Sequence, residues 1–498
     1  MQKEQSSTLL KGAWIAACSA LFGGALLQPV YAQSTAPADP ETLQELEALI
    51  ETRRELAEQM NEFDRRIEAL EERLGTPATV AAKPEAVTVT GGRPVDDAPD
   101  KWGPFEPGKG FVLARNEHGE VGMSLFTYVR YLNQFGLEDS YTDTFGRTFD
   151  IDKRNDMQFA KVNLSFKGWL FDPKFRYLVY TWTSNTSQGD PAQVVVAGNL
   201  GYQFNEAFNL YAGIGALPST RSTNYSFPNW LKNDHRTIAD EYFRGSYTTG
   251  IWANGKIAPG LHYRAMLGNN LSQLGVNAPQ LDDEFNTFSG ALWWMPTTGE
   301  YGPGNGLGDY EWHDELATLF GIHYTTSRED AQGQPGTEGF ENSQIRLSDG
   351  TRIFSEDPFL TGGNIRKADY QMIAVNAGAK YRGWHLEAEA YFRTVDNFQT
   401  TGPIPISKIE DHGFQVQGSY MIKPRALQAY ASYSKIFGDN GEPWDFSTGV
   451  NWWPFDRKDM HLNLQFLYLD KSPVGYSSVP FIVGGDGWVV STDAIVSF

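Results

Sequence analysis

The chain has 498 residues, with 14% aromatic side chains, 50 glycines and a formal charge of −20 from 41 basic and 61 acidic residues. This is too aromatic for a disordered tail, and beyond residue 30 no stretch reaches the roughly 18 apolar positions of a membrane-spanning helix, which excludes a multi-span helical transporter. The acidic balance excludes nucleic acid as a partner, because a phosphate backbone is held by clustered Lys and Arg.

Lys3 and Lys11 precede an apolar run from Ala13 to Leu27, and Val30-Tyr31-Ala32 ends on a small residue. This pattern predicts a secretory signal peptide over 1–32, cleaved after Ala32. The alternative is a lipoprotein cleavage box ending at Cys18, the only cysteine. Both readings export the chain, and a lone cysteine offers neither a disulfide framework nor a Cys-based zinc site.

Residues 38–75 carry Leu46, Leu49, Arg53, Leu56, Met60, Phe63, Ile67, Leu70 and Leu74 at alternating spacings of three and four. That spacing predicts a periplasmic coiled coil, with Arg53 as the costly seam position that can select register or oligomer state. Asp39 or Thr42 serves as the cap and Gly75 followed by Pro77 as the stop. A single amphipathic helix lying on another domain is the alternative. Residues 76–110, rich in Ala, Pro, Thr, Val and Gly, read as a flexible linker.

From 111 to 498 the period changes to two. Trp384, Leu386, Ala388, Ala390 and Phe392 fall on one face of a strand, and His385, Glu387, Glu389, Tyr391 and Arg393 fall on the other. Ala160, Val162, Leu164 and Phe166 oppose Lys161, Asn163, Ser165 and Lys167 in the same way. Such segments recur from 119–133 and 157–169 through 460–470 and 487–498, sixteen in all, an even count that suits a closed antiparallel barrel. Connections alternate between short turns, such as Asn205 to Ala207, and long ones at 134–156, 218–243, 327–368, 397–412 and 471–486. The stretch 297–314 should be short in this alternation and is not, so it is an inward-folded turn or a local miscount.

Phe171, Trp294, Trp452, Trp453, Phe455 and Tyr468 lie near strand ends, where rings can form a girdle at the membrane surface. Alternation continues through Trp488, Val490, Thr492, Ala494 and Val496 to Phe498, which resembles the assembly signal of outer-membrane proteins. The expected fold class is all-β transmembrane: a 16-stranded antiparallel outer-membrane β-barrel over 111–498, preceded by a short α-helical coiled coil.

The opening from Gly110 through Gly119 to Tyr128-Val129-Arg130-Tyr131-Leu132-Asn133-Gln134 resembles the first strand of the phosphate-selective porin O/P family. The resemblance extends to the plan of signal, coiled coil, linker, barrel and terminal Phe. It implies a homotrimeric outer-membrane channel with a water-filled lumen in each protomer, some members being selective for phosphate or polyphosphate.

An anion path needs Arg and Lys on the lumen face, donating charge-assisted hydrogen bonds. Alternation nominates Arg130, Lys161, Lys167, Arg264 and Arg393 for that face. The connection between the fifth and sixth strands, with Arg221, Lys232, His235 and Arg236, is the candidate constriction. Against an anion path, acidic residues outnumber basic ones beyond Val112, and Glu387 and Glu389 share the face of Arg393. The eight histidines lie in no HExxH or GxSxG context, and Gly302 to Gly308 lacks the Lys of a phosphate loop. No enzyme, cofactor or metal is expected. The reading is passive diffusion of small hydrophilic solutes or anions such as phosphate or pyrophosphate, with outer-membrane lipid and further copies of the chain as partners. The alternative is a structural anchor whose coiled coil tethers to peptidoglycan or a periplasmic partner.

Overall fold

A computed structural model of the chain describes residues 105–106, 110–184, 193–224, 227–273, 284–334, 345–476 and 478–498. The expected signal peptide, the coiled coil with its seam Leu46 to Leu74, and nearly all of the linker lie outside the described residues. The exception is Phe105–Glu106, which pairs antiparallel with Gly110 and Phe111, so the end of the expected linker is already β-structure.

The main sheet has 18 strands, two of which are this short lead-in and Gly110–Asn116. The other sixteen follow in chain order as β1 (Gly119–Leu137), β2 (Asn155–Leu170), β3 (Asp172–Ser184), β4 (Gln193–Gln203), β5 (Asn209–Ala216), β6 (Tyr247–Ala258), β7 (Leu261–Gly268) and β8 (Thr287–Trp294). They continue as β9 (Ala317–Asp330), β10 (Ile365–Tyr381), β11 (Trp384–Thr400), β12 (Ile409–Lys423), β13 (Leu427–Phe437), β14 (Trp444–Trp452), β15 (Met460–Asp470) and β16 (Gly487–Ser497). Each pairs antiparallel with its successor, and β16 returns to β1 with Asp493 opposite Arg130, which closes the ring. The expected sixteen-stranded barrel is the observed one. Closure leaves no unpaired edge, the condition for backbone to cross a layer without water.

Alternation decides which face meets which medium. On β11, Trp384, Leu386 and Phe392 are exposed on the outer wall, while His385, Glu387, Glu389, Tyr391 and Arg393 are buried inside. The pattern recurs on β15, where Leu464 and Phe466 face out and Asn463 and Gln465 face in. A water-soluble protein would place these sets the other way round, because exposed apolar area in water is unfavourable. The outer wall therefore fits a hydrocarbon surround.

Two expectations need correction. The alternation over 160–167 fails at its start: Tyr128 pairs with Lys161 and Val129 with Phe159, so Ala160 is an extra, bulged residue. Both Ala160 and Lys161 then point inward, as a bulge that sets two residues against one requires. Trp453 does not join an aromatic girdle. It is buried, with its ring edge-on to Tyr310 at 4.9 Å, whereas Phe171, Trp294 and Phe455 are exposed at strand ends.

Short turns gather at one end of the barrel. Arg382 and Gly383 join β10 to β11 with φ of 46° and 84°, the two positive values of a two-residue hairpin turn. A Cβ at Gly383 would come within 2.6 Å of the Trp312 ring, so the position favours glycine on two counts.

Candidate functional site

The site is the barrel lumen and the segments that enter it. The connection 217–246 between β5 and β6 folds inward, with most of its described residues buried. Its single-turn helix α1 (Ile238–Phe243) is capped by Thr237, whose Oγ1 accepts from the Asp240 backbone N–H at 3.3 Å. The wall supplies partners for the other free amides of the first turn. Ala239 N–H donates to Ser434 Oγ at 3.1 Å, and Ile238 N–H to Asp445 Oδ1 at 3.4 Å. Tyr370 Oη donates to the Phe243 carbonyl at 2.7 Å, and Phe243 stacks on Tyr391 with centroids 5.0 Å apart.

The connection 297–314, which broke the expected alternation, is an inward-folded turn. Lys380 Nζ donates to the carbonyls of Tyr301 at 2.8 Å and Gly306 at 2.7 Å, and Asp309 Oδ2 accepts from Gly383 N–H at 2.7 Å. Leu307 N–H donates to the Asn229 carbonyl at 2.7 Å, so this turn meets the constriction segment inside the barrel. His313 contacts Asp309 and lies 3.0 Å from Glu300 through Nε2. These are carboxylates of its own turn.

The eight nominated cations divide into two groups. Arg130 binds Asp493 with both ends of its fork, at 2.7 and 3.2 Å, and reaches the Ser478 carbonyl at 3.0 Å. Arg393 contacts Asp411, Tyr242 Oη at 2.5 Å and the Arg346 carbonyl at 2.7 Å. Arg221 lies 2.9 Å from Glu387, while its backbone N–H donates to Glu389 at 2.7 Å. Lys232 approaches Asp445 at 3.8 Å, and burial lowers its pKa. These four are struts between wall and inward segments, each charge matched by a carboxylate as burial demands.

Lys167, Arg236 and Arg264 come together elsewhere. They line a cavity of about 620 Å³ between the constriction segment and the wall from β1 to β7. Arg236 contacts Ser222 Oγ at 2.7 Å and Glu241 at 3.4 Å, with its guanidinium 4.4 Å from the Trp230 ring. Arg264 lies 5.3 Å from the Trp252 ring, on which Tyr211 stacks at 5.6 Å. Among the described residues Lys167 meets no carboxylate. Lys161 lines a smaller adjoining cavity, pairs with Asp234 at 2.5 Å and lies 4.5 Å from the Trp182 ring.

Sequence reasoning missed Arg176, whose Nε donates to Gln203 at 3.1 Å on the same cavity wall. Its signal was available, since Arg176, Leu178, Tyr180 and Trp182 alternate along β3. Among the described residues the single acid lining this cavity is Glu120, held by Arg115 at 2.5 Å. Arg236 is paired with Glu241, so Lys167, Arg176 and Arg264, set against a carboxylate that Arg115 already holds, give the open side of the lumen a positive balance among the described residues.

At the far end of the chain, Phe498 exchanges backbone hydrogen bonds with Leu125 at 2.9 Å each, and its ring lies 5.2 Å edge-on from Phe111. The terminal residue is thereby paired into the ring.

No protein-family model and no curated protein matches the chain. Among solved structures, the backbone is similar to the anion-selective porin from Comamonas acidovorans, at 12% identity and TM-score 0.48 over 76% of this chain and 100% of that one. It is similar to the outer membrane channel DcaP of Acinetobacter baumannii, at 11% identity and TM-score 0.48 over 77% and 99%. A third similar structure is Salmonella typhi OmpF in complex with daunomycin, at 13% identity and TM-score 0.47 over 77% and 99%.

Proposed function

We propose that the chain is an outer-membrane porin through which small hydrophilic solutes diffuse passively, with a preference for anions, phosphate and pyrophosphate among them. The observation that carries this reading is the open side of the lumen. Among the described residues Lys167, Arg176 and Arg264 border it beside Arg236, which Glu241 partners, and the one acid of its lining, Glu120, is already held by Arg115. Fixed cations on a low-dielectric wall raise the local anion concentration without any catalytic step. The exposed apolar outer wall supports insertion in a membrane, with the short turns toward the periplasm. A homotrimer joined by the coiled coil over 38–75 is the assembly this reading adopts, supported by the seam spacing alone.

A structural anchor is the second reading, and one observation favours it: segments 217–246 and 297–314 fill much of the barrel. Liposome swelling distinguishes the two. The porin reading expects swelling in small sugars and faster swelling in small anions. Liposomes that stay rigid while holding folded, heat-modifiable barrel would leave only the anchor.

A further inference from the structure

We infer that the turn 297–314 is a second constriction, a floor set beneath the inward loop from the opposite end of the barrel, which closes half of the lumen and confines passage to a lane along β2–β7. The inference rests on the porin reading for its direction of flow, but its geometry stands independently.

The inside of the barrel is unequal on its two sides. On the β1–β7 side a cavity of about 620 Å³ runs past Lys167, Asn199, Tyr211, Trp252 and Arg264, and no residue of the turn borders it. On the opposite side, where Gly306, Leu307, Gly308 and Tyr310 of the turn meet Asn229, Trp230, Lys380, Gln428 and Trp453, the gap between them is about 80 Å³. That volume holds a few waters and no hydrated solute of useful size.

The floor is built to stay in place. Lys380 reaches up from β10 to two of its carbonyls, and its ammonium sits 4.3 Å over the Tyr301 ring. Arg221 donates to the Asn305 carbonyl, and Asn229 Nδ2 reaches the Pro303 carbonyl at 3.3 Å, so the inward loop grips the floor from the other side. Gly308, at φ 78°, lies against Gln428, where an added Cβ would come within 2.6 Å of the amide. Along β13 the inward residues then read as a column: Gln428 touches the floor, Tyr430 and Ser432 follow, and Ser434 touches α1. Ser432, buried and bonded to Ser447 at 2.6 Å, lies between the two inward segments.

The mature chain expected after Ala32 contains no cysteine, so introduced thiols report cleanly. The experiment uses the full chain, Ser165→Cys in the lane and Ser432→Cys above the floor, each treated with a small charged methanethiosulfonate. Modification is read by mass and, in parallel, by loss of current. Ser165→Cys is expected to react promptly and reduce current. Ser432→Cys should react roughly tenfold more slowly or worse, because reaction requires local opening. Replacing 301–311 by a short turn should bring Ser432→Cys up to the Ser165→Cys rate and raise the conductance. Lys380→Met, which removes two of the donors holding the floor, should move the rate the same way and serves if the replacement does not fold. Equal rates at both positions in the otherwise unaltered chain would overturn the floor. Unequal rates without any current would sustain the floor and sink the porin reading, so the two failures are distinct.

Discussion

Arg393 and Lys167 both project from the barrel wall into the lumen, yet they inhabit different chemistry. Arg393 is fully enclosed, contacting Asp411, Tyr242 and the Arg346 carbonyl, and so ties β11 and β12 to α1 and an outer connection. Lys167 is half-buried on the wall of the 620 Å³ cavity and meets no carboxylate among the described residues. The same alternation placed both, so facing the lumen is not equivalent to facing the solute. Segments folded inward decide between the two outcomes: where they pack, a cation becomes a strut, and where they leave space it remains available to anions.

That contrast can be broken from the loop side first. Replacing 220–242 by a short turn should raise single-channel conductance several-fold in planar bilayers, because it removes the segment that separates the two sides. An unchanged conductance would mean the current does not pass the site described. Next, Arg393→Met should lower the temperature of heat-modifiable unfolding strongly, at a cost of about 3–5 kcal/mol for leaving Asp411 buried and uncompensated. Lys167→Met should change it by no more than about 0.5 kcal/mol, as for substitutions away from a buried network. Equal effects on the gel-shift temperature would erase the distinction between strut and lane.

A smaller effect depends on pH. His235, buried in the inward loop against Phe481, has its pKa held well below the usual value by burial, with Lys232 and Arg130 pushing the same way. The unfolded chain takes up a proton below about pH 6.5 and the folded one does not, so stability is lost as pH falls below that value, by up to about 1.4 kcal/mol per unit. His235→Phe should flatten this dependence in a series of melts between pH 7 and 5. Smallest of all, Trp252→Phe should cost about 1 kcal/mol, the scale of a lost ring stack with Tyr211, read as a small drop in the temperature of heat-modifiable unfolding.

The fold was largely legible because a strand of a membrane barrel obeys one rule along its whole length. Trp384 through Arg393 alternate in the sequence and alternate in the structure, and the ring closes with the expected sixteen strands. Where the rule is locally suspended, sequence reading went astray: the bulge at Ala160 inverts the face of the residues before it, and Trp453 leaves its strand for a neighbour in the inward turn. The inward course of 217–246 was signalled by its length and its density of charge, which needs partners such as Asp445 and Glu387.

The division of the candidate cations was not legible. Whether Arg130 meets solute or Asp493 depends on a residue 363 positions away, and one sequence carries no sign of that pairing. Arg176 was overlooked although its alternation was plain, because β3 also carries Tyr177 and Val179 on the other face and reads as apolar throughout.

The most direct test of the central claim is the reversal potential across a planar bilayer in a salt gradient, measured for the unaltered chain and for Lys167→Glu with Arg264→Glu. The account predicts anion selectivity in the first, which weakens as ionic strength rises, and a reversal toward cations in the second. A reversal potential that is identical in the two proteins would contradict it, since current would then flow without passing Lys167 and Arg264.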